Sequence, residues 1–119
     1  MRSDATVLSS IIEYCDLIIE TVERLGTDEE DFLNDKVYQT SVSFSLMQIG
    51  ELVKRLSEDI TIRYPEMKWS RIAGMRDIIA HQYHNVNRTR LWKTINRDVR
   101  PLRDYCSKML SEMKPEEGH

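Results

Sequence analysis

Glycine and proline are scarce: four and three in 119 residues. So few turn formers cannot serve an all-β fold, whose short strands need a turn every few residues. Long apolar runs are missing too. None approaches the roughly 20 residues a membrane-crossing helix needs, so no membrane partner is expected. The opening MRSDATVLSS is charged and lacks an apolar core of about 7–15 residues, so no secretory signal is expected. Cysteine is limited to Cys15 and Cys106, each within helically spaced apolar residues. They read as buried free thiols in a reducing cytoplasm, with a bridge between the two ends as the alternative. Neither has a histidine nearby in sequence, which counts against a thiol nucleophile.

What is present describes a single domain over residues 1–119, with a core from about 5 to 112 and a polar tail over 114–119. The hydrophobic share is 40% and the charged share 31%, as in globular proteins large enough to bury one core. Net charge is −3 but unevenly spread. Residues 1–60 carry 5 basic and 13 acidic side chains, and residues 61–119 carry 12 basic and 7 acidic ones. A basic half suggests an anionic ligand, and equally suggests helix faces of opposite sign packed together.

Apolar spacing predicts helices throughout. Leu8, Ile11, Ile12, Cys15, Ile18, Ile19 and Val22 form one stripe over Asp4–Leu25, capped by Ser3 or Asp4 and ended by Gly26. Thr27 with Glu30 has the form of a capping box for a short helix. A long helix is expected from about Asp35 to Ile60, with Val37, Val42, Phe44, Leu46, Ile49, Leu52, Val53 and Leu56 on its apolar face. Gly50 lies inside it, where glycine costs about 1 kcal/mol relative to alanine. A close helix crossing is expected there. Pro65 breaks the pattern, and a further helix begins near Trp69 or Ser70. Pro101 suits a first turn, so the last region is split into helices over about 88–96 and 98–113, with Asp98 as N-cap. The fold class is all-α, with four main helices and short extras.

The densest chemistry is GMRDIIAHQYH, residues 74–84. On a straight helix, Arg76 and Tyr83 share a stripe, Asp77 and His81 are neighbours one turn apart, and Arg76 and His81 diverge by about 140°. Arg76 and His81 meet at one phosphate only if the helix unwinds near His81 or a second subunit supplies the other copy. Arginine offers a planar cation for phosphate, and histidine exchanges a proton near neutral pH. Asp77 can orient His81. Together they suit RNA cleavage without metal: His81 takes the ribose 2′-OH proton or protonates the leaving 5′-oxygen, and Arg76 stabilises the charged transition state. A structural ion-pair cluster and a solvated helix end explain the same residues. A metal set of Asp77, His81 and His84 fits by spacing, but three ligands on one helical stretch are hard to make tetrahedral. No metal and no cofactor are expected. Trp69, Trp92, Tyr14, Tyr38, Tyr64 and Tyr105 can stack bases, yet their spacing is that of core residues.

The run Arg76-Asp77-Ile78-Ile79-Ala80-His81-Gln82-Tyr83 fits R-x4-H-x-Y. This resembles the HepT-like toxins of the HEPN superfamily. Ile49-Gly50-Glu51-Leu52-Val53-Lys54-Arg55-Leu56-Ser57 is similar to that family's IGEAAKRLS helix. Trp69, Ile72, Gly74, Met75, Arg76 and Asp77 follow its W-x-x-I-x-G-M-R-[ND] approach. Val86-Asn87, Leu91-Trp92 and Pro101-Leu102 match its tail. The resemblance implies an up-and-down, HEPN-like helical bundle that forms a homodimer, with the motifs lining a cleft at the dimer axis. It implies a metal-independent endoribonuclease toxin of a type VII-like pair, partnered by a minimal nucleotidyltransferase antitoxin. Arg76 and His81 would be catalytic, with Asp77 where the family often has Asn. Tyr83 would accept AMP from the partner, silencing the toxin. A carboxylate at Asp77 repels RNA phosphate unless Arg76 or His81 pairs with it. Arg88, Arg90, Lys93 and Arg97, with Arg100 and Arg103 beyond them, are candidate RNA contacts, or else face acidic surfaces of a partner. The alternative function is a non-catalytic subunit that binds nucleotide or presents Tyr83 to the nucleotidyltransferase.

Overall fold

The computed structural model describes residues 3–117, excepting the side chains of residues 82, 83 and 114–117. Four long helices and two short ones occur in the order α1 (Asp4–Leu25), α2 (Glu29–Leu33), α3 (Lys36–Val53), α4 (Glu58–Arg63), α5 (Trp69–Gln82) and α6 (Arg88–Glu117). A 3-10 turn, Tyr83–Asn85, joins α5 to α6. No strand occurs among the described residues.

Local signals set most of the ends. The Ser3 hydroxyl accepts from the Thr6 amide, and Gly26, at φ 130°, closes α1 where a side chain would be strained. At α2 the cap lies one residue later than Thr27: Asp28 is the N-cap, and the Asp31 carboxylate accepts from its amide. Asp35 caps α3 through the amides of Val37 and Tyr38.

Two expected helices differ. The helix expected from Asp35 to Ile60 ends at Val53, and α4 begins separately. Ser57 is the reason. Its hydroxyl accepts from the Ile60 amide, and its own amide and hydroxyl both donate to Asp4, at 2.9 and 2.6 Å. Asp4 thereby ties the start of α1 to the start of α4. In the other direction, Pro101 does not split the last helix: α6 is continuous from Arg88 to Glu117. It also carries helical backbone into the expected polar tail; residues 118 and 119 lie outside the described residues. Leu91, Trp92, Ile95, Val99, Leu102, Cys106, Met109 and Met113 are all buried along one stripe that crosses Pro101. A proline inside a helix costs about 3 kcal/mol. Burying each large apolar side chain returns roughly 1.5–3 kcal/mol, so the stripe prevails.

Helix α1 packs against both α3 and α6, and α5 packs on the far side of α3. The core runs through Ile11, Phe32, Tyr38, Leu46, Ile49, Ile72, Trp92 and Met109. Phe32, Tyr38 and Trp92 meet edge to face or tilted, so Trp92 is core, as is Trp69, whose indole N–H donates to the Tyr64 carbonyl. Tyr105 packs on Trp69 and donates to Glu66. Cys15 and Cys106 are free and buried. Burial pushes the Cys106 thiol up to about 12 and raises Cys15 further, with Cys106 adding to it. Val37 and Phe44, expected on the apolar face of α3, stand exposed at 73% and 56%.

Candidate active site

The glycine in α3 does what its cost suggested. A Cβ on Gly50 would lie 2.6 Å from the Arg76 Cβ and 3.0 Å from the Arg76 amide nitrogen. No side chain fits there without moving backbone. Gly50 therefore lets α3 and α5 meet at Arg76, and the charged residues in the turn that follows it fix what happens next. Glu51 accepts from Arg76 Nε at 3.1 Å, and Lys54 Nζ reaches Asp77 Oδ1 at 3.0 Å. Arg76 Nη1 also lies 3.4 Å from that Asp77 oxygen. Two cations and two carboxylates thus form a chain: Glu51, Arg76, Asp77, Lys54.

Asp77 is held as the carboxylate. The hydrogen bond from Lys54 comes first, joined by the charges of Lys54 and Arg76, and together they outweigh desolvation and lower its pKa. The partner expected from the helix spacing, His81, is not used. Asp77 is paired with Lys54 and Arg76 instead, so its repulsion of phosphate is offset by two cations. Sequence spacing within α5 could not reveal Lys54 or Glu51, which come from another helix. The usable signal was the pattern Gly50-Glu51-x-x-Lys54: charged residues of both signs flanking a helix-crossing glycine.

His81 lies on the exposed side of α5 and makes no hydrogen bond among the described residues. The helix remains α-helical through Gln82, so it does not unwind at His81. Arg76 and His81 of one chain therefore keep their divergence of about 140° and cannot share one phosphate. Tyr83 opens the 3-10 turn, so the α-helical angle linking it to Arg76 does not carry through; its side chain lies outside the described residues. Among the described residues, no three His, Cys, Asp or Glu side chains gather closely enough for a metal ion.

The outer face of α5 has an unusual composition. Gly74, Ile78 and His81 recur at the spacing of one helix stripe. A Cβ on Gly74 would meet nothing within 4 Å, and Ile78 is 56% exposed. Among the described residues, nothing requires a glycine there.

The basic residues of α6 divide. Arg88 turns inward: Nε donates to Gln39 at 3.0 Å and Nη1 to the Val86 carbonyl at 2.7 Å. Gln39 is buried and also donates to the Phe32 and Leu33 carbonyls. Arg88 is thus built into the junction of α2, α3 and α6. Arg97 holds Asp98 through two nitrogens, and Arg71 of α5 reaches the same carboxylate at 3.1 Å. Arg103 pairs with Asp16 of α1, joining opposite charges across those helices. Arg90 and Lys93 are exposed, with no ion pair among the described residues. Because α5 lies against α3 and not closely against α6, an open groove of about 470 Å³ runs between α5 and α6.

Comparison with known proteins gives the family. The family model described as ribonuclease HepT-like matches residues 11–109. A protein named "Putative RNase" from Caldanaerobacter subterraneus subsp. tengcongensis is 33% identical over 114 residues, covering 96% of this chain and 100% of that protein. One named "Probable ribonuclease HepT" from Thermococcus cleftensis is 36% identical over 108 residues, covering 91% and 96%. No solved structure matches the chain. No helix among the described residues is long and apolar enough to cross a membrane.

Proposed function

The chain belongs to the ribonuclease HepT-like family, and from that premise we propose that it is a metal-independent endoribonuclease working as a homodimer. The observation that carries this reading is the divergence of Arg76 and His81 on an unbroken helix whose outer face holds Gly74 and Ile78. A mid-helix glycine with no neighbour among the described residues suits the close approach of a second copy. Such an approach brings the two His81 side chains together, with each Arg76 reaching toward the cleft from the α3 side of its helix.

Two histidines divide the work. One His81 takes the proton of a ribose 2′-OH, whose oxygen attacks the adjacent phosphorus. The second His81, protonated, gives its proton to the departing 5′-oxygen. The P–O5′ bond breaks, leaving a 2′,3′-cyclic phosphate and a 5′-hydroxyl. Arg76 faces the charge that builds on the non-bridging oxygens. Glu51 and Asp77 hold its guanidinium in one orientation. Arg90 and Lys93, with Arg97 behind them, attract the RNA backbone. Arg88, spent on Gln39 and Val86, contributes by anchoring the start of α6.

In this reading the chain is the cytoplasmic toxin of a type VII-like pair. A minimal nucleotidyltransferase antitoxin silences it by adding AMP to Tyr83. An added phosphate and nucleoside at the end of α5 would bring negative charge and bulk to the cleft.

A second reading has a specific observation in its favour. Glu51 and Asp77 already neutralise Arg76 and Lys54, as in a structural cluster. The chain would then be a non-catalytic subunit that binds nucleotide or presents Tyr83. One experiment separates the two. Purified chain is incubated with RNA in EDTA, beside His81→Ala. Cleavage to 2′,3′-cyclic ends by the parent chain, lost in His81→Ala, is the expected result. Intact RNA with a folded parent chain transfers the weight to the binding subunit.

A further inference from the structure

We propose that the groove between α5 and α6 is a nucleotide subsite that seats one base of a single-stranded RNA beside the cleavage site; this rests on the ribonuclease reading. The floor of the groove is apolar, formed by Met75, Ile79, Val86 and Leu91. Its rim is cationic, with Arg90 on one side and Arg97 further along α6. At one end the Arg71–Asp98–Arg97 ion triplet closes the wall. Small-molecule sites have this character, an apolar bed with a few placed polar groups. At about 470 Å³ the groove lies within the range of such sites, large enough for one nucleotide.

Charge decides which ligand fits. Three guanidinium groups and one carboxylate line the groove, leaving an excess of positive charge. Lys93 adds another cation on the neighbouring surface with Arg90 and Arg97. The Asn87 side chain accepts from the Arg90 amide and caps α6, so the positive end of a 30-residue helix opens on the same rim. An apolar bed beneath such a rim matches a base bearing a phosphate, and matches an acidic protein helix poorly because the bed is short.

Position ties the groove to the chemistry. Ile78 stands at the lip of the groove, and His81 is the next residue along the same outer stripe of α5, about 4.5 Å further on. A strand held at His81 passes the mouth of the groove. Duplex RNA has its bases paired and cannot place one there, so the substrate at this point is unpaired.

The test uses the full chain carrying His81→Ala, so that bound RNA stays intact. Binding is followed by fluorescence anisotropy with a short single-stranded oligoribonucleotide and with the same oligonucleotide made abasic at one internal position. The parent should prefer the intact strand by roughly five- to tenfold, the worth of burying one base on an aliphatic bed. Thr94→Trp, which fills the groove from α6, should remove that preference. Arg90→Gln should keep the preference, weaken both strands, and lower the salt slope by about 0.7, the loss of one phosphate contact. Equal affinity for both strands in the parent, or undiminished preference in a folded Thr94→Trp, overturns the subsite. Groove-dependent binding in a chain whose parent never cleaves RNA upholds the subsite and fails the nuclease. Cleaving parent chain with no base preference does the reverse.

Discussion

Helix α5 has two unlike flanks. Against α3 it is pressed so closely that Gly50 has no room for a side chain, and every charge there is answered within the chain. Against α6 it stands off, and Arg90 and Lys93 face outward without ion pairs among the described residues. The balanced flank is suited to holding Arg76 in place and contributes little attraction for RNA. On the proposed ribonuclease reading, the unbalanced flank supplies attraction and positions nothing at the reacting atoms. That reading assigns positioning and capture to different neighbours of one helix.

The sharpest break in this division comes at Arg76. Arg76→Ala should lower RNA cleavage on the order of 10²- to 10³-fold, since a cation aimed at developing charge is lost. The melting temperature should move little, because the side chain is one-third exposed. Cleavage by gel and a thermal melt check the two halves, and full activity would remove the α3 flank from the mechanism. Gly50→Ala comes next. Its Cβ forces backbone apart, which should cost about 1–3 kcal/mol in urea unfolding and reduce cleavage by displacing Arg76. Unchanged stability would mean the crossing is looser than the 2.6 Å clearance indicates.

The same substitution at the other glycine should have the opposite sign. Gly74→Ala meets nothing in its own chain and should stabilise the dilute monomer by up to about 1 kcal/mol. Sedimentation should show weaker self-association, because the added methyl holds a second copy away. Self-association as tight as the parent's would refute the outer face of α5 as the contact. The smallest effect is at Asp77. Its pKa is lowered, so its pairing contributes above the ordinary carboxylate value and is lost as pH falls through the lower folded value. Asp77→Asn should flatten that acid limb of the melting curve and leave neutral-pH stability nearly unchanged.

Much of the scaffold was legible in the sequence because it rests on local rules. Ser3 and Gly26 mark the two ends of the apolar stripe of α1, and the cost of Gly50 pointed to a crossing. The errors lie where tertiary packing outweighed a local signal. Pro101 reads as a break, yet a continuous buried stripe carries α6 through it. Ser57 caps α4 locally, but the bonds that fix it there go to Asp4, remote in sequence. The site was legible to the same degree. R-x4-H placed Arg76 and His81 on one helix and gave their divergence. Asp77 was offered His81 because both lie on α5, and the partner it has, Lys54, comes from α3. Spacing along one helix cannot report a contact made by another.

Cys15 and Cys106 give the α1–α6 seam a clock. Thiol reagents attack the thiolate, and both groups are shut away with their ionisation suppressed. Labelling must then wait for α1 and α6 to separate, so its rate reports how often that seam opens. Neither cysteine lies on α5, the helix that carries Arg76 and His81. Ligands and substitutions at α5 can therefore be sorted by whether they alter the breathing of the whole bundle or only the helix they touch.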